Sequence, residues 1–116
     1  MTSGADHAGP TISTHVLDTE RGMPAAGVRV TLSRLDVGDG KPLRMTQALT
    51  DGDGRVRDLL ERPLVAGEYR LEFDVAHEDG SFFTRVAVDL RITDTGRSYH
   101  VPLLLAPYSM TTYRGS

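Results

Sequence analysis

The chain has 116 residues, no cysteine and a formal net charge of −3. A chain of this length forms one domain and buries roughly two thirds of the surface that its unfolded form exposes, so its stability requires neither disulfides nor a metal. The absence of cysteine excludes a thiolate nucleophile and a disulfide framework. The mildly acidic charge, without a dense run of Lys and Arg, argues against nucleic acid as a partner.

The first ten residues, MTSGADHAGP, have no basic region and no apolar core, so they do not match a signal peptide. We expect residues 1–10 to form a disordered tail and residues 11–116 to form the folded domain. No stretch approaches the roughly 18 consecutive apolar residues of a membrane span. These features predict a cytoplasmic protein without a membrane partner.

Short segments of alternating apolar and polar residues, separated by turns, fill the rest of the chain. In the first segment His15 shares a face with Leu17, while Ile12 and Val16 lie on the opposite face. The turn at residues 76–81 is too short for a helix. Further strands are predicted at residues 28–35, 43–50, 68–75, 82–92, 99–105 and 108–114. The pattern predicts an all-β sandwich of seven or eight strands with little or no helix.

The tight loop Asp51-Gly52-Asp53-Gly54 consists of residues that tolerate a positive φ, and it presents Arg55 at the start of a short segment. The acidic residues suggest calcium, but a third ligand and a downstream bidentate Glu are not in register. His15 and His100 also have no convincing third partner for zinc. We therefore predict no metal site.

The segment 99–105 carries a histidine on a partly apolar face. His100 shares this face with Pro102 and Leu104, while Val101 and Leu103 lie on the core side. Such a mixed face usually meets another subunit or a ligand. We expect it, and the similar face of the first strand, to be covered in a homo-oligomer.

The last residues carry a recognisable motif. The terminal Tyr-Arg-Gly-Ser, preceded by a His-Val-Pro-Leu-Leu-Leu strand, resembles the C-terminal signature of the 5-hydroxyisourate hydrolases, the transthyretin-related enzymes of purine breakdown. Residues 13–18 are similar to the N-terminal signature of this family, and residues 67–74 are similar to its fifth strand. Arg55 matches a third signature position. The resemblance covers residues 12–116 and implies a transthyretin-like, two-sheet β-sandwich.

The resemblance also implies a reaction, a site and an assembly. The reaction is the hydrolysis of 5-hydroxyisourate to 2-oxo-4-hydroxy-4-carboxy-5-ureidoimidazoline in urate degradation, by histidine-assisted attack of water on the ring amide and without a cofactor. The implied catalytic residues are His15, Arg55 and His100, and the implied substrate-binding residues are Tyr113, Arg114, Gly115 and Ser116. The implied assembly is a homotetramer, a dimer of dimers, with sites at the dimer–dimer interface.

The side chains suit this chemistry. Two close imidazoles disfavour each other's protonation, which keeps a base neutral near pH 7. A guanidinium offers a planar fork of donors to the carbonyls and the anionic edge of a urate-like substrate. A single strand histidine is more often a surface or packing residue, so the hypothesis depends on the matched set.

Two other classes of function remain open. The first is a carrier, because the hormone carrier transthyretin uses the same sandwich; a carrier is expected to lack both histidines and the terminal Tyr-Arg-Gly-Ser. The second is a structural interaction domain, which would give no reason for histidines on partly apolar faces. The chain also departs from the enzymes in two places. The connection at residues 76–81 is shorter than the family's helix, and residues 109–112 replace the usual Gly-Tyr-Ser-Thr.

Overall fold

A computed structural model describes residues 9–76 and 80–115, which form strands and no helix. Most of the predicted tail, part of the predicted turn at residues 76–81, and Ser116 lie outside this range. In chain order the strands are β1 (Ile12–Asp18), β2 (Met23–Pro24), β3 (Arg29–Arg34), β4 (Leu43–Leu49), β5 (Arg55–Val56), β6 (Gly67–Asp74), β7 (Arg85–Ile92), β8 (Tyr99–Ala106) and β9 (Ser109–Thr112). The all-β prediction is confirmed, and the two extra strands have two residues each.

The strands form two sheets. The first has the order β2-β1-β8-β9, with β5 also paired to β1, and the second has the order β4-β3-β6-β7. β1 and β8 run parallel, with Cα partners from Ile12 and Tyr99 to Asp18 and Leu105. No helix in the described part of the chain is long and apolar enough to cross a membrane.

The core lies between the two sheets and follows the predicted alternation. Ile12 and Val16 of β1 are fully buried, as are Tyr69 and Phe73 of β6. Thr14 is also buried, and its hydroxyl donates to the carbonyl of Val101, 2.6 Å away. A buried hydroxyl normally needs such a partner. The inward faces of β1 and β8 are therefore joined by both packing and a side-chain hydrogen bond.

The strand predicted from residue 82 begins at Arg85, so its predicted start is wrong. Pairing between β6 and β7 ends where Asp74 faces Arg85. Phe82 lies before this point, with its ring edge-on to Phe83 at 5.1 Å and 6.1 Å from the ring of Tyr108. Two aromatic residues typical of a strand thus form a cluster beside the strand instead.

The outer face of the second sheet carries charged side chains that pair across neighbouring strands. The shortest of these ion pairs joins Arg70 and Asp89 by two hydrogen bonds. Arg70 Nε lies 2.7 Å from Asp89 Oδ1. Arg85 donates to Glu72 at 3.1 Å. Exposed pairs of this kind contribute little to stability. Their effect is to keep this face hydrated, in contrast to the outer face of the first sheet.

The loop before β5 fixes the position of Arg55. The Asp51 carboxylate accepts the backbone N–H groups of Asp53, at 2.8 Å, and Arg55, at 3.0 Å. The Arg55 N–H is the main cause that lowers the pKa of Asp51. Gly54 has a φ of +77°, and its carbonyl accepts the N–H of Val16 at 2.7 Å. The loop is thereby tied to the middle of β1.

We expect Gly54→Ala to lower the free energy of unfolding by at least about 2 kcal/mol, because a left-handed alanine is strained and its Cβ would also collide with the carbonyl of Val16. Gly52→Ala is the matched control, since a Cβ there meets no atom within 4 Å. Urea denaturation of the two variants measures the difference. Equal midpoints would contradict this account of the loop.

Candidate active site

The three predicted catalytic residues lie on one face of the first sheet. His15 and Arg55 are Cα partners in the antiparallel β1–β5 pair, so their side chains are neighbours on the same face. His15 is also the partner of Pro102 in the parallel β1–β8 pair. His100 precedes Pro102 by two residues and shares its face. Strand register alone thus brings together His15 and His100, which are 85 positions apart in the chain. The face that they share points away from the second sheet.

Ser13 and Gly115 lie against His100, on opposite edges of its ring, and Gly115 also bonds its backbone. Nδ1 lies 2.8 Å from the hydroxyl oxygen of Ser13. The backbone carbonyl of His100 accepts the N–H of Gly115 at 2.7 Å. A Cβ at position 115 would lie only 2.9 Å from His100 Cδ2. The glycine of the terminal motif therefore permits the chain to pack directly against the imidazole.

The surroundings of His100 lower its pKa below the ordinary value of 6.5. Burial is the largest cause, followed by the positive charge of Arg55 and by His15. Each of these disfavours the imidazolium form. His100 is therefore neutral near pH 7 and can accept a proton from water.

His15 is half-buried, and its Nε2 is fully buried. Among the described residues Nε2 has no hydrogen-bond partner. A buried polar atom without a partner costs roughly 1–3 kcal/mol. Because this nitrogen is inaccessible to solvent, an entering group could reach it only if neighbouring side chains moved.

The terminal motif is divided between two places. Gly115 contacts His100, whereas Tyr113 and Arg114 line a cleft of about 330 Å³ beside β7. Tyr99 and Val101, which belong to the core side of β8, line the same cleft. A single chain thus brings Gly115 against His100, while Tyr113 and Arg114 contribute to the neighbouring cleft.

The apolar residues of the histidine face are partly covered within one chain. Pro102 is buried, whereas Leu17 and Leu104 are half-buried. Pro102 therefore adds no exposed apolar surface to this face, even without a second subunit. Thr112 donates its hydroxyl to the Pro102 carbonyl at 2.8 Å, so β9 helps to hold this residue. Within residues 9–76 and 80–115 no three His, Cys, Asp or Glu side chains cluster as metal ligands.

Comparison with known proteins identifies the family. A statistical model of the HIUase/Transthyretin family matches residues 12–115. The chain belongs to this family. A 5-hydroxyisourate hydrolase of Deinococcus radiodurans is 44% identical to it, over 92% of this chain and 97% of the relative.

Two solved structures of the HIUase/transthyretin family are similar to the chain. The 5-hydroxyisourate hydrolase of Klebsiella pneumoniae superposes with a TM-score of 0.79 at 36% identity, covering 92% of this chain and 99% of that one. Sea bream transthyretin in complex with thyroxine superposes with a TM-score of 0.80 at 30% identity, covering 90% and 93%. Backbone similarity therefore does not separate the hydrolase from the transthyretin, whereas sequence identity is higher with the hydrolases.

Sequence reasoning gave Ser13 no role, although it directly precedes the residues Thr-His-Val-Leu-Asp that match the N-terminal signature. The available signal was its position on the same face as His15, two residues earlier in β1. Its contact with His100 depends on the β1–β8 register, which no local pattern reveals.

We expect the His100 imidazole to titrate below 6.5, and Arg55→Gln to raise its pKa because a cation that opposes protonation is removed. Titration of the imidazole signals by NMR measures both values. The matched control is Arg57→Gln, which removes an exposed charge two residues further along. An Arg55→Gln variant whose His100 pKa is unchanged would show that the two groups are not coupled.

Proposed function

We propose that this chain hydrolyses 5-hydroxyisourate in urate degradation, yielding 2-oxo-4-hydroxy-4-carboxy-5-ureidoimidazoline. The oxygen of water bonds to the ring carbonyl carbon, the ring C–N bond breaks, and the released nitrogen takes a proton. The observation that carries the proposal is the single face on which two imidazoles and a guanidinium converge. The family and the high identity with 5-hydroxyisourate hydrolases support it.

His100 is the general base in this proposal, because its lowered pKa keeps it neutral and ready to take a proton from water. Arg55 binds the substrate carbonyls and offsets the negative charge that develops on oxygen. It faces His15 directly across β1 and β5. In this proposal His15, beside Arg55 on the same face, assists the transfer of a proton to the released nitrogen.

A carrier function is the second candidate, because the fold is equally similar to a transthyretin that binds thyroxine. Fold alone does not decide between them. The two histidines and Arg55 favour the enzyme, since a site that only holds a ligand has no need of a neutral histidine beside a second histidine and a guanidinium.

We also propose a homotetramer, a dimer of dimers, with the sites at the dimer–dimer interface. Half-buried Leu17 and Leu104 lie on the histidine face, and a second copy would complete their burial. In this assembly Tyr113, Arg114, Gly115 and Ser116 shape the pocket floor and bind the substrate. A cytoplasmic location stays a prediction, which cell fractionation tests.

We expect His15→Ala and His100→Ala each to reduce turnover by roughly 10²–10⁴, the usual contribution of a general acid or base. Arg55→Ala should raise KM and lower kcat together, and Arg57→Ala should leave both unchanged. The assay follows the ultraviolet decay of freshly generated 5-hydroxyisourate against its spontaneous rate. A folded His100→Ala variant with full activity would contradict the assignment.

Light scattering should give a mass four times the 12.6 kDa of one chain. Leu104→Glu should reduce the mass to that of a dimer, because a carboxylate would be buried at the proposed interface. The matched control is Leu43→Glu, at an exposed leucine of the second sheet. A monomeric protein at assay concentration, or a Leu104→Glu variant that remains tetrameric, would exclude this interface.

A further inference from the structure

The hydroxyl of Ser13 is placed against one nitrogen of the proposed base. Ser13 Oγ and His100 Nδ1 are 2.8 Å apart in a half-buried contact. The two residues are Cα partners in the parallel β1–β8 pair, so neighbouring strands of one sheet hold them together. Strands position a side chain more rigidly than a loop does.

The opposite edge of the same ring is also held. Gly115 lies against Cδ2, so closely that a Cβ would come within 2.9 Å of it. Ser13 contacts the Nδ1 edge and Gly115 contacts the Cδ2 edge. Among the described hydrogen bonds of this imidazole, the partner is at Nδ1. Nε2 is therefore the nitrogen left for chemistry.

The position of the single proton on the neutral ring decides what Nε2 can do. If Nδ1 carries the proton and donates to Ser13 Oγ, Nε2 keeps its lone pair and can accept a proton from water. If the hydroxyl donates instead, the proton lies on Nε2 and the ring cannot act as a base there. In the first arrangement the bond to Ser13 persists and strengthens when the ring becomes charged.

We propose that Ser13 is a positioning residue, whose hydroxyl accepts the Nδ1–H of His100 and so holds the ring in the tautomer with a basic Nε2. The inference rests on the proposed function, because it names the residue that prepares the base. In this proposal Ser13 acts through His100.

The chain offers a matched control for a serine that only links strands. The hydroxyl oxygen of Ser98 accepts the N–H of Thr11 at 3.0 Å. This bond joins the same two parts of the chain, 87 positions apart, as the bond between Ser13 and His100 does. Ser98→Ala thus removes a comparable link without changing a histidine.

The test combines kinetics with a measurement that needs no substrate. We expect Ser13→Ala to lower kcat roughly five- to tenfold, the effect of one neutral hydrogen bond, with KM unchanged. Ser13→Thr should restore kcat, because threonine retains the hydroxyl, and Ser98→Ala should leave kcat unaffected. Two-bond ¹H–¹⁵N correlation spectra of the imidazole should show His100 protonated at Nδ1 in the wild-type protein and shifted toward Nε2 in Ser13→Ala.

The outcomes separate this inference from the proposed function. A wild-type protein that does not hydrolyse 5-hydroxyisourate refutes the function, while the spectra still test the hydrogen bond. The Ser13 inference is overturned by an unchanged kcat in Ser13→Ala, or by an equal loss in Ser98→Ala. It is also overturned by a wild-type His100 protonated mainly at Nε2, even if Ser13→Ala proves too unstable to assay.

Discussion

The parallel pairing of β1 with β8 is the constraint on which the site depends. It joins segments that are 87 positions apart and sets the partners of Ser13 and His15. A slip of one residue would move every side chain of the strand to the other face. The register is fixed by Ile12 and Val16 in the core and by the bond from the Thr14 hydroxyl to Val101. Core packing and the assembly of the histidines are therefore consequences of one alignment.

The two outer faces have different physical roles. The second sheet presents paired charges such as Arg70 and Asp89. These charges remain hydrated, and their pairing changes the free energy of folding little. The first sheet presents half-buried leucines beside histidines. Burial then lowers the pKa of His100, and the same partly apolar surface provides the area for a second subunit. One face can thus serve chemistry and assembly together.

Much of this architecture follows from local pattern. Period-two alternation assigned His15 and His100 to the non-core faces of their strands, and the turn chemistry of residues 51–54 indicated that Arg55 would be presented by a rigid loop. Strand pairing is different, because it is decided by packing between distant segments. The contact of Ser13 with His100, and the placement of Arg55 opposite His15, could not be predicted from alternation.

Other features depended on tertiary contacts as well. Phe82 has strand-forming chemistry, but its ring packs with Phe83 and Tyr108 where β6 no longer provides a partner. Tyr113 and Arg114 follow β9 directly in sequence, and they line a cleft beside β7. The position of this cleft depends on packing between β7, β8 and the segment after β9, which the motif alone does not reveal.

The distance in sequence between β1 and β8 also shapes how the protein is made. At a synthesis rate of about 5–20 residues per second, β1 waits roughly 4 to 17 seconds for its parallel partner. All four strands of the second sheet are translated during that interval. Until β8 leaves the ribosome, Ile12 and Val16 lack the strand that fixes their register, and the nascent chain is open to association with other chains. The reactive centre is thus among the last features of the molecule to form.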